Sequence, residues 1–330
     1  MTAPIPGSGS AACLPPLPGG PRQLDVVGFG EASVDLVLSL DAFPQPDGKQ
    51  VAREQGRLPG GQVATAVRAL GRLGWRAAFA GAVGDDDGGA LVLAALAGDG
   101  VDVSVARRVP GVATRSAVIL VDRGRGTRSV IEHRDPRLNL PADRLPVAAI
   151  RSARVLLVDA TDPGAAADAA RAARAAGVRV AVDVDEAAAG AEALVALADA
   201  VIASEGYVRA AGGRIDDGLA RIAARHPQAA VVCVTLGRRG CQAVAAGRQV
   251  TVPAFDVPCV DSTGAGDVFR AGFLAAWLAA PPGQGPELEG VLRYACAAAA
   301  LSCAGAGAQG ALPTADGVRG LLDSGRVVIG

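Results

Sequence analysis

The sequence has 330 residues, enough for one large α/β domain that buries roughly three quarters of the surface exposed by the unfolded chain. Its 32 basic and 33 acidic residues leave a net charge of −1 and a pI near 6.2, so composition gives no reason to expect nucleic acid or an anionic membrane as a partner. The six cysteines follow neither C-x-x-C pairing nor a histidine-matched spacing, which disfavours a zinc site and a disulfide framework.

The first 22 residues are rich in Pro, Gly, Ser and Ala and lack both the basic start and the apolar run of a secretory signal. We expect a disordered leader over residues 1–22, followed by a single domain over residues 23–325. Every apolar stretch of transmembrane length contains glycines or charges. The sequence therefore predicts a cytoplasmic protein with no membrane partner.

Short apolar runs alternate with helix-length segments from residue 24 to residue 235. This alternation predicts an α/β fold in which a central, mostly parallel sheet carries helices on both faces. Two β-prone segments, residues 49–58 and 116–132, break the pattern, and the second contains a polar turn. They predict a small additional sheet that projects from the main body.

Two familiar nucleotide-binding motifs are disfavoured near the start of the domain. Gly28 and Gly30 imitate a dinucleotide fingerprint, but Ser33 replaces its third glycine and residues 34–40 read as a strand where the fingerprint needs a helix. This disfavours a dinucleotide oxidoreductase. The single lysine, Lys49, lacks the glycine-rich context of a P-loop kinase.

The clearest chemical signal is DSTGAGD, residues 261–267, which leads into an apolar helical pattern. We expect a strand to end near Val260, so that the glycines occupy a strand-to-helix turn whose free N–H groups form an anion site. Asp267, in the first helical turn, would be a general base for an attacking hydroxyl beside a bound phosphate. An ordinary glycine-rich loop with a helix-capping Asp is the alternative.

This heptapeptide resembles the signature of the PfkB/ribokinase family of carbohydrate kinases, whose usual form is DTTGAGD, with Ser262 as the departure. The resemblance covers residues 24–313 and implies a ribokinase-like fold with a small β-sheet lid over the sugar. It implies transfer of the ATP γ-phosphoryl group to a carbohydrate hydroxyl, with Mg²⁺ arriving with ATP. In several members the lid also forms the dimer contact, which implies a homodimer. The roles implied are catalytic base for Asp267 and anion hole for Gly264, Ala265 and Gly266.

The resemblance also assigns binding residues along the chain. Sugar-binding groups are expected at Asp35, Gly60, Gly61, Gln62 and Thr65. Nucleotide-binding groups are expected at Thr235, Gly237, Gly240 and Cys296. The glycine pair can also serve as the hinge of the lid. Gln62 and Thr65 stand where asparagine is common in the family, and this departure leaves the identity of the sugar open.

Two metal positions follow from the resemblance alone. Glu205 aligns with an Asn-x-x-Glu element that organises magnesium-bound water, although Ser204 and Tyr207 replace both defining residues. Asp261 and Thr263, with carbonyls of a later loop, match the site of a monovalent cation such as K⁺ in some relatives.

Other charged residues near these motifs have two interpretations each. Asp183 and Asp185, after an apolar run, are either supporting acids of the site or a solvated strand terminus. Arg270, one turn beyond Asp267, pairs either with a phosphate or with a neighbouring carboxylate.

Two other functions remain open at this level. A nucleoside kinase of the same fold is the first, although aromatic residues make up only 3% of the chain and argue against a stacked base. A sugar-sensing protein with weak catalysis is the second, and the altered Asn-x-x-Glu element motivates it.

Overall fold

The computed structural model describes residues 12–20, 22–122, 124 and 127–328. Its strands are β1 (Val26–Phe29), β2 (Ser33–Leu40), β3 (Arg53–Gly60), β4 (Ala77–Phe79), β5 (Ala82–Gly84), β6 (Arg107–Val109), β7 (Ser116–Asp122), β8 (Thr127–His133), β9 (Val155–Asp159), β10 (Arg179–Val184), β11 (Ala200–Ser204), β12 (Val231–Thr235), β13 (Cys241–Ala245) and β14 (Arg248–Val252). Its α-helices are α1 (Gln62–Arg72), α2 (Asp87–Gly98), α3 (Val147–Ser152), α4 (Pro163–Ala175), α5 (Ala191–Val195), α6 (Glu205–Gly212), α7 (Ile215–Arg225), α8 (Ala265–Leu278), α9 (Leu288–Ser302) and α10 (Ala315–Ser324).

The larger sheet has eight strands in the order β14-β13-β12-β11-β10-β9-β1-β4. Strands from β12 through β4 pair in parallel, whereas β13 and β14 are antiparallel at one edge. The central strands are continuous apolar runs because both faces of a parallel sheet are covered by helices. The predicted central, mostly parallel sheet is confirmed.

Hydrophobic cores lie on both faces of this sheet. Leu156 of β9 belongs to a buried cluster with Ala166 of α4. The next residue, Leu157, belongs to the opposite cluster with Val67 of α1 and Phe273 of α8. Successive side chains of a strand point to opposite faces, so one strand supports both layers of helices. Helix α8 is thereby held against the sheet.

A second sheet of four strands has the order β3-β2-β7-β8. Strands β7 and β8 form an antiparallel hairpin, and β2 pairs in parallel with β7. The two segments predicted for a small sheet contribute β3 and the hairpin, while β2 comes from the strand predicted at residues 34–40. Part of the polar hairpin turn, residues 123, 125 and 126, lies outside the described residues. The predicted second, small sheet is confirmed.

Part of the expected leader is packed against the domain. Leu14 is 2% exposed and Leu17 is also buried in the main core, and Trp277 Nε1 donates a hydrogen bond of 2.8 Å to Pro15 O. The expectation of disorder therefore fails for residues 12–20, because two leucines within the Pro-rich segment provide apolar anchors. The first 11 residues of the predicted leader lie outside the described residues.

Within the described residues, no helix is both long enough and apolar enough to cross a bilayer.

Candidate active site

The carboxyl ends of the parallel strands meet at one edge of the larger sheet. Asp159 of β9 lies beside Asp183 of β10, and Ser204 of β11 lies beside Thr235 of β12. Glu31, just after β1, joins this edge through its N–H, which donates to Asp159 Oδ2 at 2.7 Å. Open α/β sheets bind ligands outside this edge, so it is the expected place for a site.

Helix α8 begins at this edge with the predicted anion-binding loop. Gly264 is the N-cap residue with φ of +75°, and a Cβ there would lie 2.6 Å from Ala308 O, so glycine is required. Asp267 lies in the first turn of the helix. The N–H groups of this turn have no partner within the helix, although that of Ala265 donates to Ser262 O at 3.2 Å.

The segment before α8 is a loop and not the expected strand. Strand β14 ends at Val252, and Val260 is 67% exposed. The prediction of a strand ending near Val260 is wrong, because the N–H of Val260 bonds across to Cys303 O at 2.8 Å instead of to a neighbouring strand. Short apolar runs predict burial, but not whether a neighbouring strand is available to pair with them.

The carboxylate of Asp261 organises this loop. Its Oδ1 accepts from Thr263 N at 2.9 Å and from Thr263 Oγ1 at 2.7 Å. Its Oδ2 accepts from Gly307 N at 2.8 Å. Asp261 therefore joins the start of the anion-binding loop to the loop that follows α9.

A cleft of about 800 Å³ lies between the sheet edge and the small sheet. Ala117, Ile119 and Val130 of the small sheet form part of its wall, and Thr263 and Gly264 of the anion-binding loop form another part. The predicted site residues that line the cleft are Asp35, Gly61, Gln62, Thr263, Gly264 and Asp267. Gly60 contacts the site indirectly, since a Cβ on it would lie 2.1 Å from Asp35 Oδ2.

Asp267 belongs to a network of charges centred on Arg270. Arg270 Nη1 lies 3.3 Å from Asp267 Oδ1, and Nη2 lies 2.7 Å from Asp185 Oδ1. Nη2 also forms an ion pair with Asp183. Gln62 Nε2 donates to the other oxygen of Asp185. Arg270 therefore pairs with carboxylates, and Asp183 is a buried member of the site instead of a solvated strand end.

Burial dominates the electrostatics of the cleft. It raises the pKa of Asp267 well above its usual range, the Arg270 guanidinium opposes this shift, and the nearby charges of Asp185, Asp159 and Asp35 add to it. A raised pKa suits a general base, because proton transfer is most efficient when the pKa of the base approaches the working pH.

Two further acids of the cleft are shifted by burial. The pKa of Asp35 is raised by burial, against a hydrogen bond from Ser33 Oγ at 2.8 Å that lowers it. Burial raises the pKa of Glu31 to about 8, although the Arg115 guanidinium opposes that shift.

Two residues predicted to bind ligands lie in the core instead of lining the cleft. Thr65 is fully buried, and its Oγ1 accepts from Gln309 Nε2 at 2.9 Å. Cys296 is buried with its Sγ 3.6 Å from Cys241 Sγ. Both positions lie on helical faces that pack inward, which a motif alignment does not reveal.

The predicted nucleotide residues of β12 lie at the same sheet edge, two strands from Asp183. Thr235 ends β12, and Gly237 and Gly240 adopt φ of +57° and +86° in the turn that follows. A Cβ on Gly240 would lie 2.0 Å from Val252 O, so this turn also requires glycine. None of the three lines the cleft around Asp267.

Glu205 lies at the start of α6 and is held by two arginines. Its Oε1 is 2.7 Å from Arg209 Nη2, and its Oε2 is 2.5 Å from Arg239 Nη2. These ion pairs occupy both oxygens of the carboxylate. In the part of the chain that the structure describes, no cluster of three or more His, Cys, Asp or Glu side chains is arranged to hold a metal ion.

Sequence reasoning missed several charged residues of the cleft. Arg115, Glu132, Arg134 and Glu186 line it, and Arg115 is buried between Glu31 and Glu132. No motif marks these positions. The local signal at Arg115 is a charged residue directly before the apolar strand β7.

Comparison with known proteins identifies the family. A model described as the pfkB family of carbohydrate kinases matches residues 23–315. The chain belongs to this family. Its members are phosphotransferases, so the predicted family, fold class and ATP-dependent sugar kinase activity are confirmed.

Proteins similar in sequence are named for different substrates. The chain is 32% identical over 300 residues to an ATP-dependent ribose-1-phosphate kinase of Halopiger xanaduensis, covering 90% of this chain and 97% of that protein. It is also 32% identical to fructokinase-2 of Solanum habrochaites, covering 91% and 96% of the two chains. These matches support the family, but they do not determine which sugar is phosphorylated.

Solved structures share the fold over nearly their whole length. A putative ribokinase from Agrobacterium tumefaciens superposes with a TM-score of 0.81 at 28% identity, covering 92% of this chain and 98% of that one. Arabidopsis thaliana ribokinase, solved with ribose and ATP, superposes with a TM-score of 0.76 at 25% identity, covering 91% and 98%.

Proposed function

We propose that this sugar kinase uses Asp267 as the general base that removes the proton from the attacking sugar hydroxyl. One observation carries the proposal: Asp267 lines the cleft from the first turn of α8, beside the N–H groups of Gly264, Ala265 and Gly266. Those groups would stabilise the negative charge on the transferring phosphoryl. The base and the anion site then flank one reacting centre.

The sugar would bind between Asp267 and the small sheet. Asp35 and Gln62 line this part of the cleft and offer a carboxylate and an amide, which accept from and donate to hydroxyl groups. Gly60 and Gly61 allow the backbone to approach closely, since a Cβ on either would meet Asp35 or Ala32. Thr65, buried behind the cleft, would act on the sugar only through its partner Gln309.

The nucleotide would extend along the sheet edge from the anion site. Thr235, Gly237 and Gly240 supply a hydroxyl and a tight turn at the end of β12, where backbone N–H groups can approach phosphates. Cys296, packed on Cys241, would shape the wall near adenine without a hydrogen bond to it.

Mg²⁺ would enter with ATP. The phosphates of ATP and water would be its chief ligands, because the carboxylates of Asp183 and Asp185 are engaged by Arg270. The ion would neutralise charge on the phosphates. Glu205 remains a candidate for contacts through water, although release from Arg209 and Arg239 would be required.

A monovalent cation is the further cofactor that we propose. Asp261 Oδ1 accepts two hydrogen bonds and Oδ2 accepts one, so the carboxylate keeps lone pairs for a cation. Thr263 Oγ1 lies beside it. Activity measured in K⁺ against an equal concentration of choline tests this role. Equal rates in the two salts would contradict it.

We also propose a homodimer formed through the small sheet and a cytoplasmic location. Ile131 on the edge strand β8 is exposed, and exposed apolar edge strands favour pairing with another chain. Light scattering on wild type and Ile131→Glu tests the dimer, which should dissociate in the variant. Cell fractionation tests the location.

The activity is tested with a coupled assay of ADP release. The acceptor panel contains ribose, fructose, ribose-1-phosphate, other aldoses and ketoses, and nucleosides. Asp267→Asn should reduce acceptor-dependent ADP release by about 10² to 10⁴-fold. Asp168→Asn, in an exposed ion pair with Arg171 on α4, is the matched control and should retain activity. Near wild-type turnover by Asp267→Asn would remove the assigned base.

A further inference from the structure

Arg270 lies one helical turn after Asp267 and is only 3% exposed, despite its full charge. Both Nη atoms face carboxylates: Nη1 faces Asp267 at 3.3 Å, and Nη2 faces Asp185 at 2.7 Å together with Asp183. Burying a guanidinium is costly unless it is paired and hydrogen-bonded, so its place inside this cluster requires a reason.

Charged groups from several elements surround Asp267. Strand β10 contributes Asp183, and Asp185 follows directly after this strand. Strand β9 contributes Asp159, and β2 contributes Asp35. Helix α1 contributes only the neutral amide of Gln62, which bonds to Asp185. Among these neighbours, Arg270 is the cation that faces Asp267. The surrounding carboxylates repel one another and so oppose the ionisation of Asp267.

We propose that Arg270 is a positioning residue for phosphoryl transfer, which holds the Asp267 carboxylate at the cleft and keeps it ionised among acidic neighbours. The proposal rests on the proposed role of Asp267 as the base. It assigns Arg270 to the base and not to ATP, because its guanidinium is buried and its Nη atoms are engaged by carboxylates.

The geometry of the network supports a positioning role. Asp185 accepts from Arg270 at one oxygen and from Gln62 at the other, so it joins the sugar side of the cleft to α8. A planar guanidinium can serve several carboxylates in fixed directions, whereas an ammonium group cannot reproduce this fork. Lysine at position 270 should therefore retain the charge but lose part of the orientation.

The test is the pH dependence of kcat/KM, whose acidic limb reports the ionisation of the base in the free enzyme. In Arg270→Gln the limb should move to higher pH by about one unit or more, because a stabilising positive charge is lost. Activity at neutral pH should fall by about tenfold or more and recover partly at higher pH. Arg270→Lys should show a smaller shift with a lower plateau.

Asp185→Asn provides the opposite change. It removes a neighbouring negative charge at a half-exposed position, so the limb should move to lower pH. The double variant Arg270→Gln/Asp185→Asn should lie between the two single variants. If Arg270→Gln fails to fold, Arg270→Lys against wild type still decides, since a lower plateau with an upward shift supports the proposal and an unchanged plateau and limb overturn it.

The control is Arg179→Gln. Arg179 begins β10, at the end of the strand opposite Asp183, and pairs with Asp199 at 2.9 Å. Its loss should reduce Tm and leave the limb in place. Limbs that stay fixed in both Arg270→Gln and Asp185→Asn, or a higher KM for ATP as the sole effect in Arg270→Gln, would overturn the proposal. Full activity in Asp267→Asn would instead show that the base assignment had failed.

Discussion

Arg115 Nε lies 2.5 Å from Glu31 Oε1 and joins the small sheet to the edge of the large one. Glu31 follows β1 and donates its N–H to Asp159, whereas Arg115 immediately precedes β7. Arg115 Nη2 also lies 2.5 Å from Glu132 of β8. The buried guanidinium of Arg115 therefore links the hairpin of the small sheet to the sheet edge at which Asp267 lies.

We expect Arg115→Met to destabilise the protein by about 1–3 kcal/mol, because it leaves the buried carboxyl of Glu31 without its hydrogen-bond partner. The KM for the sugar should rise as well, since the small sheet forms one wall of the cleft. Urea unfolding and steady-state kinetics measure the two effects. Arg108→Met is the control, because Arg108 forms an exposed pair with Asp85 at 3.9 Å and should change stability little.

Glu31 should make stability depend on pH. Its pKa in the folded protein, about 8, exceeds its ordinary value of 4.5, so the folded state binds the proton more tightly than the unfolded state. The stability associated with this proton is fully present below pH 4.5 and is lost as the pH rises towards 8.

The matched comparison for this pH dependence is Glu31→Gln, which has the same shape and no charge. Between pH 5 and pH 8.5, the Tm of wild type should decrease by roughly 2 °C or more relative to the variant. Thermal unfolding monitored by circular dichroism measures it. Parallel Tm curves for the two proteins would show that the Glu31 proton is not coupled to folding.

Gly264→Ala tests the anion-binding loop. The positive φ of Gly264 and the 2.6 Å approach of a Cβ to Ala308 O should strain the loop and displace the N–H groups that follow. We expect kcat to fall by about 10² or more, as for the loss of an oxyanion donor. Gly320→Ala on α10, where a Cβ meets nothing, is the control and should leave kcat unchanged. Retention of kcat by Gly264→Ala would remove this loop from the reaction.

Leu14→Ala tests whether the N-terminal segment belongs to the folded domain. Because Leu14 is buried in the main core, the substitution should reduce the free energy of unfolding by about 2–4 kcal/mol. Leu91→Ala, at an exposed site on α2, should have a much smaller effect. Urea denaturation of the three proteins gives the comparison, and equal midpoints would mean that the segment contributes nothing to stability.

Local patterns predicted much of the fold. Short apolar runs and helix-length segments indicated β2, β9, β10 and β12 nearly to their ends, and the glycine-rich heptapeptide indicated the start of α8. The expected strand before α8 was wrong because pairing depends on a distant partner, here the backbone of Cys303. Disorder was overestimated for residues 12–20 because composition does not show that Leu14 finds a pocket in the core.

The sequence by itself determined the family, the layered α/β architecture and the placement of Asp267 in a first helical turn, because these depend on spacing between neighbouring residues. Only the tertiary structure decided which charges surround that carboxylate. Asp183 and Arg270 are distant in sequence, as are Glu31 and Arg115, and they meet through the packing of different elements. Burial and charge pairing depend on that packing, and so does the protonation of the cleft.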